Sequence, residues 1–305
     1  MAEEKQVSII IPTFKRPDTL QRAINSVLKQ TYKAIEIIVV DDNDPNTTDR
    51  IHTEKIMDGY KNFSNVIYVK HEKNKNGSAA RNTGFRNSKG KYIMFLDDDD
   101  EFFPDKVAAQ VNRLESLDES WGCCYTNYIR KKNGVTTVYG AENREGYLLK
   151  EELMRNLFIH AGSNLMIRRK VFVEMDGFDE TFIRNQDIEF LCRILSKYRI
   201  AYVNTVGLIV HAHIKNANQY NLEEITTDYL KKFDKLIKEQ PKEDYIKIKK
   251  MIKLQLFRYY LTSYGKRKKA LMQLLKGELS LLLVIRYIIH LINRGLRKKA
   301  YGFDL

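Results

Sequence analysis

The chain has 305 residues, 43% of them hydrophobic, and a formal net charge of +13. It exceeds one typical domain of roughly 100 to 150 residues, so one large domain with an appendage is expected. Three cysteines, with Cys123 and Cys124 adjacent and Cys192 remote, exclude a disulfide framework and a C-x-x-C zinc site. The start, MAEEKQVSIII, lacks the basic residues and longer apolar run of a secretory signal, and the expectation is a cytoplasmic protein. Residues 229–305 hold 20 Lys and Arg against 6 Asp and Glu, while the rest is net −1. A near-neutral part suits an ordinary globular enzyme, whereas the basic part should seek a polyanion, either phospholipid head groups or nucleic acid.

In chain order, Val7 to Ile11 and Ile35 to Val40 are β-branched apolar runs that read as buried strands. Between them, Asp18 to Gln30 has helical spacing, with Asp18 or Thr19 as N-cap. A helix over Thr48 to Tyr60, a strand at Val66 to Lys70, a helix at Ser78 to Asn87 and a strand at Tyr92 to Leu96 continue the alternation. The pattern predicts an α/β fold with a mainly parallel sheet covered on both faces, whose ligands bind beyond the carboxyl ends of the strands. Those ends carry Thr13 to Arg16, Asp41 to Asn43 and Asp97 to Asp100. Beyond Trp121 come a strand at Cys123 to Ile129, a turn at Lys132 to Gly134 and a strand at Val135 to Tyr139, then a mixed lobe over 148–215. After Leu222 the chain reads as helical: Tyr229 to Ile237, Tyr245 to Ser263, Lys266 to Leu275 and Leu279 to Asn293. No internal repeat or low-complexity linker stands out.

The run Leu96 to Asp100 places four carboxylates at the end of a hydrophobic strand. Like charges so close repel one another, and hard oxygen ligands suit Mg²⁺ or Mn²⁺, which would also hold a substrate diphosphate. The plainer reading is a solvated acidic loop capping the next helix.

Taken together, VSIIIPTFKR, IIVVDDND, NGSAARNTGF, FLDDDDEFFP and GSNLMIRRKVFVEMDGFDE leading to NQDIEF, in this order, resemble the family 2 glycosyltransferases over about residues 6–215. The resemblance implies a GT-A fold, Rossmann-like and nucleotide-sugar-binding, over 1–221. Its nucleotide half would be 1–120 and its acceptor half 121–221, with a basic helical C-terminal extension over 222–305. It implies a UDP-sugar donor, a Mn²⁺ or Mg²⁺ cofactor and inversion at the anomeric carbon.

By the same resemblance Thr13, Phe14 and Arg16 surround the nucleotide, Asp42 accepts from the uracil N3–H, and Arg81 contacts the donor. Asp97 goes to the ribose or base side and Asp99 to the metal. With four aspartates in a row the register is open, and Asp98 is the other candidate for the ribose. Asp100 is expected to cap the helix starting near Pro104. Asp187 is the expected catalytic base, taking the acceptor hydroxyl proton. The family's Glu-Asp pair reads Gln186-Asp187 here, which removes a neighbouring negative charge without removing the base. Gly162 to Asn164 matches the stretch beneath the donor sugar, or is simply a turn before a strand. Some relatives supply a histidine to the metal; His211 and His213 both stand at the matching place, with His213 slightly favoured.

Leu279 to Ile292 is nearly all apolar and is followed by Arg294, Arg297, Lys298 and Lys299. As a helix it measures roughly 20 Å, short of the ~30 Å hydrocarbon core, so it does not span. Basic flanks and an apolar face fit an in-plane helix on the inner, anionic face of a cell membrane, suited to a polyprenol-linked glycan acceptor in polysaccharide assembly. The competing occupants of that face are the other C-terminal helices or a second subunit in a homo-oligomer. A nucleic-acid partner for the basic tail is disfavoured because it leaves the carboxylates at 97–100 unexplained. A non-catalytic nucleotide-sugar-binding subunit, marked by Gln186, keeps the fold without the chemistry.

Overall fold

The computed structural model describes residues 6–182, 185–212 and 221–305. It divides into two compact units, Met1–Leu148 with Ile159–Ala212, and Leu149–Phe158 with His213–Leu305.

The first unit opens with β1 (Val7–Thr13), α1 (Pro17–Leu28), β2 (Ile35–Asp41), α2 (Thr48–Asp58), β3 (Val66–Lys70), α3 (Gly77–Arg86) and β4 (Tyr92–Phe95). Strand β1 pairs in parallel with β2 on one side and β4 on the other, and β2 pairs in parallel with β3. Every residue of β2 and β4 is buried, as continuous apolar runs covered on both faces demand. Pro12 is tolerated inside central β1 because the pairing with β4 ends at Ile10 and Phe95, so the missing N–H breaks no bond there. Helix α3 lies close to β1 because Gly84 has no side chain; a Cβ there would clash with Ile10. The N-cap expected at Asp18 or Thr19 is instead Arg16, without a side-chain bond, because Pro17 fits the first helical position and starts the helix earlier.

The chain continues with β5 (Glu101–Phe102), α4 (Lys106–Glu115), β6 (Trp121–Lys132), β7 (Val135–Gly140), α5 (Leu149–Leu153), α6 (Ala161–Asn164), β8 (Met166–Arg168), α7 (Arg169–Glu174), α8 (Gln186–Leu195) and β9 (Arg199–His211). Here the pairing changes sense. Strand β8 is antiparallel to β4 and to β6, and β6 turns back into β7 through Asn133 and Gly134, both at positive φ. The order β7-β6-β8-β4-β1-β2-β3 is thus parallel only over its β4-β1-β2-β3 side. Strand β9 runs parallel to β6 and then takes β5 antiparallel, Glu101 opposite Ile209, which fixes the chain directly after the acidic run.

The second unit comprises α5 with α9 (Leu222–Lys232), α10 (Asp234–Lys238), α11 (Lys242–Thr262), α12 (Arg267–Leu275), α13 (Leu281–Arg297) and a short closing strand, β10 (Lys299–Ala300). Ile248, Met251, Ile252 and Phe257 form the buried stripe of α11. The segment 149–158 belongs here rather than with 121–221. Asn156 exchanges two hydrogen bonds with the backbone of Phe303 (2.8 and 2.9 Å), and Tyr229 Oη donates to the Leu153 carbonyl (3.0 Å). Among the described residues no helix is long and apolar enough to cross a membrane.

Candidate active site

Past Phe95 the chain curls instead of extending, with the Asp100 N–H donating to the Asp97 carbonyl (3.0 Å). The four carboxylates therefore point in different directions. Asp97 takes Arg81 Nη2 at 2.6 Å, while its own N–H donates to Ser163 Oγ (3.1 Å). Asp98 turns towards the end of β1, accepting from Thr13 Oγ1 (2.8 Å), the Phe14 N–H (3.4 Å) and Arg16 Nη1 (3.2 Å). Burial pushes its carboxyl up to about 7, against the opposing effects of the Arg16 charge and the Thr13 hydrogen bond. Asp99 pairs with Arg16 Nη1 at 2.5 Å.

Asp100 is not the helix cap expected from the sequence. The residue before α4 is Asp105, and β5 stands between Asp100 and the helix. Asp100 instead accepts from the His211 N–H (3.2 Å) and lies 3.7 Å from His160 Nε2. Burial, then the fields of Asp97 and Asp99, hold its carboxyl well above the usual carboxylate range. One oxygen from each of Asp97, Asp99 and Asp100 lies within 4.8 Å of the others. Three hard oxygens gathered this tightly, with the innermost reluctant to ionise, fit a divalent cation of the Mg²⁺ or Mn²⁺ kind.

Beside the acids, at the carboxyl ends of β1, β2 and β4, opens a cleft of about 410 Å³. Thr13, Phe14, Arg16, Asp42, Arg81, Asp97 and Asp98 all line it, and so does Gln186 from the other half of the unit. Phe14 is 38% exposed, with Lys15 Nζ 4.9 Å from its ring centre. Arg81 is buried, bonded to Asp97 and to the Gly77 carbonyl, with its guanidinium 5.7 Å from the Phe178 ring centre.

The β2 end shows how neighbouring residues of a strand part company. Asp41 faces inward to Arg50 Nε (3.0 Å) and Tyr68 Oη (2.6 Å), while Asp42 faces the cleft. Both Asp42 oxygens are fully engaged: Oδ1 meets His71 Nδ1 (2.7 Å) and accepts from Lys75 N (2.8 Å), and Oδ2 accepts from Asn74 Nδ2 (2.9 Å) and Asn76 N (3.0 Å). Its observed work is to pin the 74–76 loop, so a base N–H would share an acceptor already in use. His71 Nε2 continues the chain of bonds to Thr83 Oγ1 on α3 (2.9 Å).

Asp187 sits in the first turn of α8, and the N-cap position is held by Asn185 at φ 58°, so capping is not what Asp187 does. A Cβ at Gly162 would lie 3.4 Å from Asp97 Oδ2 and 3.9 Å from Asp187 Oδ2, which places both carboxylates over one small patch. Of the stretch 162–164, Gly162 faces this patch and Ser163 holds the Asp97 backbone. Asn164 turns into the core, accepting from Lys106 Nζ (2.5 Å) and Thr126 Oγ1 (2.8 Å). Burial pulls the Lys106 ammonium down to about 7, and Gly207 leaves room for its stem, since a Cβ there would lie 2.9 Å from Lys106 Cγ. His211 pairs through Nε2 with Glu101 (2.6 Å). His213 lies outside the described residues.

Sequence reading missed His71, Asn74, His160 and Lys106. The polar end of β3 and the NKNG stretch were the signal available for the first two; nothing local marks the others.

Residues 8–175, more than half of the chain, match Glycosyl transferase family 2, and the chain belongs to that family. A Rickettsia bellii protein described as an uncharacterized glycosyltransferase is 36% identical over 212 residues, 67% of this chain but 29% of that protein, so the chain spans under a third of that relative's length. The Escherichia coli UDP-Glc:alpha-D-GlcNAc-diphosphoundecaprenol beta-1,3-glucosyltransferase WfaP is 32% identical over 220 residues, 70% of this chain and 81% of that enzyme. Among solved structures, S. aureus TarS 1-349 in complex with UDP-GlcNAc superposes with a TM-score of 0.64 at 18% identity, over 85% of this chain and 73% of that one. The mannosyltransferase PcManGT from Pyrobaculum calidifontis, in complex with GDP-Man and Mn²⁺, gives 0.57 at 14% identity, over 97% and 88%. At such identities the structural likeness speaks for the fold, which is GT-A.

Proposed function

We propose that the protein is a metal-dependent, inverting glycosyltransferase that moves a sugar from a UDP-sugar to a hydroxyl of a lipid-linked glycan acceptor in cell-surface polysaccharide synthesis. The observation that carries this reading is the meeting, over Gly162, of Asp187 with a carboxylate of the Asp97, Asp99 and Asp100 cluster beside the cleft. The nucleotide would lie against Thr13, Phe14 and Arg16, with Asp42 and its pinned loop as the end wall and Arg81 near the diphosphate. Asp98, after β4 and held against the end of β1, would meet the ribose. The domain roles would follow: 1–120 for the nucleotide, 121–148 with 159–212 for the acceptor, and the second unit, which takes in 149–158, as the basic helical extension.

Asp187 takes the proton of the acceptor hydroxyl as that oxygen attacks the anomeric carbon from the side opposite UDP. The anomeric C–O bond to UDP breaks, the electron pair leaves on the UDP oxygen, and the configuration inverts. Asp99 with Asp97 and Asp100 would hold a divalent cation, which would supply neutralisation of the diphosphate, worth several kcal/mol in such sites. A UDP donor and an undecaprenol-linked acceptor are supported by what WfaP is named for, and a metal by the Mn²⁺ in the PcManGT complex.

The test is a calorimetric titration of UDP into the protein with and without Mn²⁺, repeated on Asp99→Ala. Binding that needs the metal and disappears in the variant is expected. Metal-independent binding, or none, sinks the metal-dependent UDP reading.

A further inference from the structure

The donor chemistry uses only the first unit and leaves the basic second unit without a task. Helix α13 buries Val284 and Tyr287, the latter against Phe303 with ring centres 5.3 Å apart. Away from that face it exposes Leu282, Ile285, Ile289, Ile292 and Leu296, each 45 to 79% accessible. Steps of three and four residues align these five into one stripe along the helix. Exposed apolar side chains scattered singly need no explanation, but a continuous stripe of this length does.

The charges around the stripe say what covers it. From Glu278 to Asp304 there are five Lys and Arg against two acids: Glu278, which pairs with Lys253 (3.3 Å), and the exposed Asp304. Arg297, Lys298 and Lys299 are exposed where the stripe ends. A second copy meeting this face with its own would set an excess of cations against an excess of cations, five basic residues to two acids on each side. An anionic lipid surface offers hydrocarbon for the stripe and phosphates for the cations together. At 17 residues the helix is about 25 Å long, too short to cross a ~30 Å hydrocarbon core but suited to lying in its surface.

We infer that α13 lies in the plane of an anionic bilayer, with the stripe from Leu282 to Leu296 in the acyl boundary and Arg297, Lys298 and Lys299 on the head groups. This stands on exposure and charge in the second unit and goes beyond the catalytic reading.

The test uses the full chain in co-sedimentation with vesicles of phosphatidylcholine alone and of phosphatidylcholine mixed with phosphatidylglycerol, at low and high salt. Partitioning to the anionic vesicles, weakened by salt, is expected. The double substitution Ile289→Glu with Ile292→Glu should lower it about tenfold or more, because two charged groups replace apolar ones at the insertion depth. Replacing Arg297, Lys298 and Lys299 by Gln should weaken binding and flatten the salt dependence. Both variants should keep the wild-type response to UDP, which shows that they fold. No vesicle binding, equal binding to neutral vesicles, or full binding by the double variant overturns the inference. So does a wild-type dimer that fails to bind vesicles and that the double variant turns monomeric, which assigns the face to a second copy. Loss of UDP binding in the wild type removes the catalytic reading and leaves the vesicle result standing.

Discussion

Asp187 and Asn82 show how differently two polar residues declare themselves. Asp187 opens a helix and faces the same patch as Asp97 across Gly162. As a general base it should contribute roughly 10²- to 10⁴-fold in rate. Asp187→Asn should lose that factor in single-turnover sugar transfer while UDP binding, measured by calorimetry, stays at the wild-type level; a variant with full turnover would show that the proton goes elsewhere. Asn82, six residues past the loop Asn76, had no role legible in the sequence. It grips the backbone of Phe178 with two hydrogen bonds (2.8 and 2.9 Å) and the Glu180 carboxylate with a third (2.9 Å), tying α3 to the chain before α8. Its partners stand about a hundred residues away, where no local pattern can point. Asp42 lies between these cases: its place at a strand end was readable, but the four donors that engage it come from loop geometry.

Secondary elements were the most legible level, because burial imposes a period on each segment separately. The strand Val66–Lys70 and the last three helices follow their apolar spacing closely, whereas the helix expected over Tyr229 to Ile237 is divided between α9 and α10, which part at Phe233. What spacing does not carry is how elements are fastened. At the start of α9, Glu223 accepts from Lys266 (2.7 Å) and Lys269 (2.6 Å) near α12 and from Tyr260 Oη on α11 (3.0 Å). The Lys266 and Lys269 hydrogen bonds hold its carboxyl down from 4.5 to about 2. A depressed folded value means that this clamp contributes fully above about 4.5 and is lost as pH falls from there towards 2. After solvent screening the contribution is roughly 1 kcal/mol. Unfolding of Glu223→Gln, followed by denaturant titration, should show a deficit of that size at neutral pH that shrinks below pH 4.5; a deficit independent of pH would assign it to packing.

At the scale of the whole molecule the expected donor site lies within the first unit, assembled from the ends of β1, β2 and β4 and the start of α8. Ligand binding to the folded form alone raises stability by about 2.7 kcal/mol at a hundred times its dissociation constant. UDP with Mn²⁺ should therefore raise the melting temperature in a calorimetric scan, and UDP with a chelator should not. An equal shift in both would remove the metal from donor binding.

The linear chain by itself determined the class of fold, the strand ends where chemistry gathers, the acidic run and the split between a near-neutral part and a basic one. Each of these is local, set by side-chain hydrophobicity, charge and short-range periodicity. Tertiary structure alone decided that Asp100 meets His211 instead of capping α4, that Asn164 belongs to a buried knot with Lys106, and that 149–158 joins the C-terminal helices. Each of those depends on a contact between segments 58 to 147 residues apart. The direction a side chain takes there is set by the curl of a loop or the crossing of a strand, and neither is encoded in spacing.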